Sequence, residues 1–199
     1  MRYGILLDKS LIIENCLSNN PDNNDFINFL RSNPEKGIIT HKIRSSIKYN
    51  ISNNRKFSSS REKMITNFRN LETFVKLENV DFNSFKKNMS EVNYFFNNLS
   101  NKSKMFNPSY VSKPFRGLVA HIQNSYPEKI FCKNIETEDK EILSEAICLS
   151  ERYRPMFLAS YDKHFSERFI SGKIKTKFGI ECGYPHDILS RAKECQTYI

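Results

Sequence analysis

The sequence predicts an α/β fold in which a central parallel sheet is covered by helices in a three-layer α/β/α arrangement. Short apolar runs alternate along the chain with segments of helical periodicity, as expected for strands joined by helical crossovers. The chain has 199 residues, with only 6 Gly and 7 Pro. A folded chain of this length buries roughly 70% of the surface that its unfolded form exposes, so it can form a substantial core.

The first part of the chain shows the strand and helix pattern most clearly. Gly4, Ile5, Leu6 and Leu7 form an apolar run that ends at Asp8 and predicts a buried strand. Apolar residues at helical spacing predict helices over residues 11–17 and 25–30. Residues 37–40 predict a second strand, which is followed by a basic helix. The order β-α-α-β-α favours a parallel sheet.

Residues 50–126 are rich in Asn, Ser, Lys and Phe and show almost no strand pattern, which predicts a helical insertion within one domain spanning residues 1–199. The α/β pattern then returns. A helix is predicted over residues 139–151, strands over 155–159 and 178–182, a short connection over 168–172, and a last helix from Pro185. Lys173, Lys175 and Lys177 alternate in the manner of an edge strand.

Charge and cysteine content restrict the classes of partner and compartment. The formal net charge of +9 favours a polyanionic partner. No apolar run is long enough to span a bilayer and the N-terminus lacks a signal-peptide core, so we expect a cytoplasmic protein with no membrane partner. The five cysteines are scattered without zinc-site spacing, and reduced, mostly buried thiols are therefore expected.

Three acids occupy positions typical of an α/β active site. Asp8 follows the first strand, Asp162 follows the strand over residues 155–159, and Asp139 begins a predicted helix. Sites in open parallel sheets form outside the carboxyl ends of the strands. Carboxylates held together repel one another unless a divalent cation neutralises them, so the pattern indicates Mg²⁺ or Mn²⁺. Such ions can activate water for phosphodiester hydrolysis.

Each acid taken singly also fits a structural role. Asp8 and Asp139 can cap helices, and Asp162 can form an Asx turn. Only the joint pattern of the three acids favours a metal site over three separate caps.

Four segments in order resemble the PIN domain family, which includes the VapC-type metal-dependent ribonucleases. They are ILLDKS (residues 5–10), DKEILSEA (139–146), FLASYDKHF (157–165) and GIECGYPHDIL (179–189). The resemblance covers both ends of the chain and leaves the middle without a match. It implies a PIN-like fold around the central parallel sheet.

The resemblance also implies roles for particular residues. Asp8, Asp139 and Asp162 become the catalytic acids and the ligands of Mg²⁺ or Mn²⁺, while Ser10 and Ser160 orient those carboxylates or contact phosphate. One position departs from the family pattern, since Ser46 stands where the family usually has Glu. Losing that negative charge lowers the expected metal affinity and puts activity in question. The glutamates open as substitutes are Glu14, Glu62, Glu138 and Glu145.

A basic segment follows the second predicted strand and is the expected nucleic-acid contact. Its candidate residues are Lys42, Arg44, Lys48, Arg55 and Lys56. The alternative interpretation is a solvated helix face, since exposed runs of Lys and Arg are common.

Charge, acids and resemblance together predict a metal-dependent endoribonuclease that cleaves RNA, as in the toxin of a toxin–antitoxin pair. An antitoxin protein and a homodimer are the protein partners that this interpretation leaves open. The alternative is a catalytically weakened PIN-like module that binds RNA or acts as a scaffold. A phosphatase of the haloacid dehalogenase type is disfavoured, because it requires Asp-x-Asp where this chain has Asp8-Lys9-Ser10.

Overall fold

The computed structural model describes residues 3–17, 21–104 and 135–197. Its elements, in chain order, are β1 (Gly4–Leu7), α1 (Lys9–Leu17), α2 (Pro21–Ser32), β2 (Gly37–Thr40), α3 (His41–Asn53), a 3₁₀ turn (Arg55–Phe57), α4 (Arg61–Glu72), β3 (Lys76–Glu78), α5 (Phe82–Lys104), α6 (Thr137–Leu149), β4 (Met156–Ala159), α7 (Lys163–Ser166), α8 (Arg168–Phe178), β5 (Ile180–Gly183) and α9 (Pro185–Thr197).

The five strands form one sheet in the order β3-β2-β1-β4-β5, and every pairing is parallel. The predicted α/β class and parallel sheet are therefore confirmed, with β1 at the centre between β2 and β4. Because all five strands point the same way, their carboxyl ends share one edge of the sheet. Leu7 of β1 lies opposite Ala159 of β4, so the residues that follow these two strands emerge side by side.

Burial on both faces stabilises the central strands of the sheet although each is only four residues long. All residues of β1, β2 and β4 are buried, as expected for parallel strands covered on both faces. Helices pack around the sheet: α1 contacts α3 and α4, α2 contacts α9, and α5 contacts α6. This arrangement is consistent with three α/β/α layers.

Two local features fix where helices begin and end. The hydroxyl of Thr40 accepts a hydrogen bond from the backbone N–H of Ile43 at 3.2 Å, which caps α3 directly at the end of β2. Gly179 ends α8 with φ +72°, a left-handed conformation that favours glycine.

Some sequence-based predictions were wrong. The segment 50–126 is not wholly helical, because Lys76–Glu78 forms β3 and joins the sheet beside β2; residues 105–126 of that segment lie outside the described residues. The connection predicted over residues 168–172 is the first half of α8. Lys173, Lys175 and Lys177 therefore lie on a helix and not along an edge strand.

Within the described ranges, no helix is both long and apolar enough to cross a membrane. The four cysteines in those ranges form no disulfide, and three of them, Cys16, Cys148 and Cys182, are buried. The fifth, Cys132, lies outside the described residues.

Candidate metal centre

A cleft of about 180 Å³ lies at the carboxyl edge of the sheet. Asp8 enters it directly after β1, and Asp162 enters it three residues after β4, at the cap position of α7. Asp139 reaches it from the first turn of α6. The structure thus brings the three acids singled out from the sequence into one cleft, although they lie up to 154 positions apart in the chain.

Asp8 is buried, with 4% of its surface exposed, and its carboxylate is held by hydroxyl groups. The hydroxyls of Ser10 and Ser160 each donate to Asp8 Oδ2 at 2.6 Å. Ser160 also accepts a hydrogen bond from the backbone N–H of Asp162 at 2.8 Å, which ties the end of β4 to the acid after β1. Burial raises the pKa of Asp8, while these hydroxyls work in the opposite direction.

Asp139, Asp162 and His164 form the tightest group in the cleft. One ligand-type atom from each lies within 4.8 Å of the corresponding atoms of the others, so the three can hold a metal ion. His164 Nδ1 lies 3.1 Å from Asp139 Oδ2 and 2.9 Å from Asp162 Oδ1. Burial, with a further contribution from the charge of Asp162, raises the pKa of Asp139 to about 6.

The two carboxylates in this group also act as helix caps. Asp139 Oδ2 accepts from the backbone N–H of Glu136 at 3.0 Å within a capping box, and Asp162 Oδ1 accepts from the backbone N–H of His164 at 2.8 Å. Among the described residues, Asp139 Oδ1 and Asp162 Oδ2 have no hydrogen-bond partner. The structural and metal-binding interpretations are therefore compatible, because capping uses one oxygen of each acid and leaves the other for a cation.

The donor atoms fit a hard divalent cation. Carboxylate oxygens are the ligands that Mg²⁺ and Mn²⁺ prefer, and an imidazole nitrogen suits the transition metal better than Mg²⁺. Asp8 lies in the same cleft but outside the group of Asp139, Asp162 and His164. The third member of this group is therefore His164, where the sequence predicted Asp8.

Glu138 brings a further carboxylate to the cleft. It pairs with Lys9 and accepts a hydrogen bond from the Ser46 hydroxyl at 2.7 Å. Although burial works against ionisation, the hydrogen bonds from Lys9 and Ser46 hold the pKa of Glu138 below its ordinary value. Of the four glutamates open as substitutes at the Ser46 position, Glu138 contacts Ser46 directly.

The predicted nucleic-acid-binding residues divide into two groups. Ser10 lines the cleft, whereas Ser160 is fully buried, and both donate hydrogen bonds to Asp8. Lys42 lies nearby, pairs with Glu141 at 2.7 Å and sits 5.0 Å over the Phe85 ring.

The other basic candidates lie away from the acids. Arg44 and Lys48 both pair with Glu72 of α4. Arg55 and Lys56 are exposed on the 3₁₀ turn after α3. The expected basic segment is therefore not one continuous surface at the cleft.

From the sequence, His164 was expected to have a surface or capping role, and Glu138 was not selected among the candidate glutamates. His164 lies two residues after Asp162, and that spacing across a helix start lets its ring fold back toward the aspartate. Glu138 is adjacent to Asp139, yet only the packing of α6 against α3 and α1 shows that it meets Ser46 and Lys9.

Comparison of the chain with protein-family models, with curated proteins and with solved structures found no match.

Proposed function

We propose that this protein is a PIN-like, metal-dependent endoribonuclease that hydrolyses RNA phosphodiester bonds with Mg²⁺ or Mn²⁺. The observation that carries the proposal is the group of Asp139, Asp162 and His164 within 4.8 Å, beside the buried Asp8 at the carboxyl edge of the sheet. The net charge of +9 supports a polyanionic substrate. The four sequence segments that resemble the PIN family include all of these residues.

Each residue of the cleft has a distinct role in this proposal. Asp139, Asp162 and His164 would hold the cation. Asp8 adds negative charge from a position fixed by the hydroxyls of Ser10 and Ser160. When bound, a divalent ion stabilises charge on the phosphate and lowers the pKa of an attacking water.

The Lys9–Glu138 pair sets the charge balance of the cleft. Asp8, Asp139 and Asp162 supply up to three negative charges, whereas Glu138 is already compensated by Lys9. The negative charges of these three aspartates are enough to neutralise one divalent ion. A second ion would be neutralised only with the added negative charge of the RNA phosphate. We therefore expect one ion in the absence of RNA.

The decisive experiment combines metal titration with an RNA cleavage assay. Wild-type protein, Asp139→Asn and Asp162→Asn are titrated with Mn²⁺ by calorimetry and incubated with single-stranded RNA and Mg²⁺ or Mn²⁺. Both variants should lose metal affinity and cleavage together. Asp25→Asn, on the exposed face of α2, is the matched control and should retain both activities.

Circular dichroism at the assay temperature verifies that each variant is folded. A wild-type protein that neither binds Mn²⁺ nor cleaves RNA would overturn the proposal. RNA binding without metal binding or cleavage would favour the alternative function, an RNA-binding or scaffold module.

A further inference from the structure

A second cavity, of about 310 Å³, lies next to the acidic cleft. The two cavities share Lys9, Glu138 and Ile142 in their walls, so they are adjacent on either side of the Lys9–Glu138 pair. Its volume is at the lower end of the range of about 300–1,000 Å³ that is typical of small-molecule sites. This size suits one planar group and not an extended chain.

Glu145 lines this cavity, and 3% of the surface of this residue is exposed. Its Oε2 accepts a hydrogen bond from the Thr40 hydroxyl at 2.9 Å. In the part of the chain that the structure describes, its Oε1 has no hydrogen-bond partner. This oxygen is therefore open to a hydrogen bond from a ligand in the cavity.

The other charged groups around the cavity are already paired. Glu141 binds Lys42 at 2.7 Å, and Glu138 binds Lys9 and Ser46. The two lysines disfavour a metal cation in this space, and the unpaired Glu145 disfavours a phosphate. A neutral ligand with N–H donors fits the remaining charge pattern.

The walls also present apolar side chains. Ile43 and Ile142 line the cavity from two helices. Nucleobases have apolar faces and polar edges, and proteins that bind single-stranded RNA recognise bases through those edges. At pH 8 the Glu145 carboxylate is mostly ionised and only accepts hydrogen bonds, and guanine is the base whose Watson–Crick edge presents two adjacent N–H donors.

We infer that this cavity receives a guanine base of the RNA substrate, with Glu145 accepting hydrogen bonds from its N1–H and N2–H groups. The inference rests on the proposed ribonuclease function, since it places a base beside the site where the phosphate is cleaved. It predicts that the enzyme selects cleavage positions next to guanine.

The test measures binding of guanosine, adenosine, cytidine and uridine 5′-monophosphates to the metal-free protein by NMR titration at pH 8, where Glu145 is mostly ionised. Guanosine monophosphate should bind roughly 5- to 150-fold more tightly than the others, which is the range expected for a bidentate base contact. Glu145→Gln should lose this preference, because the amide presents a donor where guanine also presents one. Glu151→Gln, an exposed change just beyond the end of α6, is the matched control and should retain the preference.

Cleavage positions in a random-sequence RNA provide the second measurement. Cleavage next to guanine that becomes unselective in Glu145→Gln supports the inference. Binding without base preference, or a preference unchanged in Glu145→Gln, overturns it even if RNA is cleaved. Preference for guanosine monophosphate without any RNA cleavage retains the base site and overturns the nuclease proposal.

Discussion

Replacement of Glu145 by Gln should stabilise the protein at high pH, because a buried carboxylate resists ionisation. Burial raises the pKa of Glu145 from 4.5 to about 7 in the folded state, with the Thr40 hydrogen bond working in the opposite direction. Below pH 4 the group is protonated in both the folded and the unfolded chain, so it contributes no pH dependence. Between 4.5 and about 7 the unfolded chain loses its proton first, and the wild type becomes progressively less stable.

The magnitude follows from the change in pKa. A rise from 4.5 to about 7 corresponds to about 3 kcal/mol of unfolding free energy, fully expressed above pH 8. Glu145→Gln retains an oxygen that accepts from Thr40 and carries no charge. The difference in stability between Glu145→Gln and wild type should therefore grow by about 3 kcal/mol between pH 4 and pH 8.

Urea unfolding at pH 4, 6 and 8 measures this difference. Any constant effect of the amide appears at pH 4 and is subtracted. The exposed Glu151→Gln variant should follow the wild type within about 0.5 kcal/mol at each pH. Parallel pH profiles for Glu145→Gln and wild type would refute the argument that Glu145 is strongly desolvated.

Two further predictions concern the stability of elements around the cleft. Gly179→Ala should destabilise the protein by about 1–2 kcal/mol, because Gly179 has a φ of +72° that an alanine adopts only with strain. Gly172→Ala, at an exposed helical position in α8, should stabilise the protein by about 0.5–1 kcal/mol. Urea unfolding of the pair measures both effects, and equal effects would contradict the backbone argument. Ser160→Ala should cost about 1–3 kcal/mol, because it removes a buried donor to Asp8, and the exposed Ser190→Ala should cost less than about 0.5 kcal/mol. Thermal unfolding compares the two variants, and similar melting temperatures would exclude a structural role for the Ser160 hydroxyl.

The sequence was sufficient for four of the five strands, and the fifth shows why it was not sufficient for all. β1, β2, β4 and β5 are short buried runs with a clear apolar pattern. β3 is only Lys-Leu-Glu, and its Leu77 is 37% exposed. Its strand conformation depends on pairing with β2, a tertiary contact that local composition does not reveal.

The missed helix α8 has a different cause. Its three alternating lysines suggested a period of two, while Ile170 and Ile174, four residues apart, are both fully buried. The apolar period of a helix was present, and the charged residues obscured it.

At the candidate site, topology could be predicted and side-chain contacts could not. Asp8 and Asp162 follow strands that lie side by side, so the rule for parallel sheets places them together. The contacts of His164 with both aspartates and of Glu138 with Ser46 depend on how helices pack. Such contacts join residues up to 92 positions apart, and nothing in local spacing specifies them.

The pairing of β1 with β4 has a consequence for biosynthesis. Asp8 is made early, but the hydroxyl of Ser160 that holds its carboxylate is separated from it by 152 positions. A ribosome-bound chain therefore has no assembled cleft until β4 and α7 have left the exit tunnel, whatever the N-terminal helices have already formed. Contacts of such long sequence separation also form late and slowly in refolding. On the proposed ribonuclease function, an emerging chain therefore gains its site only after the residues of α7 have been made.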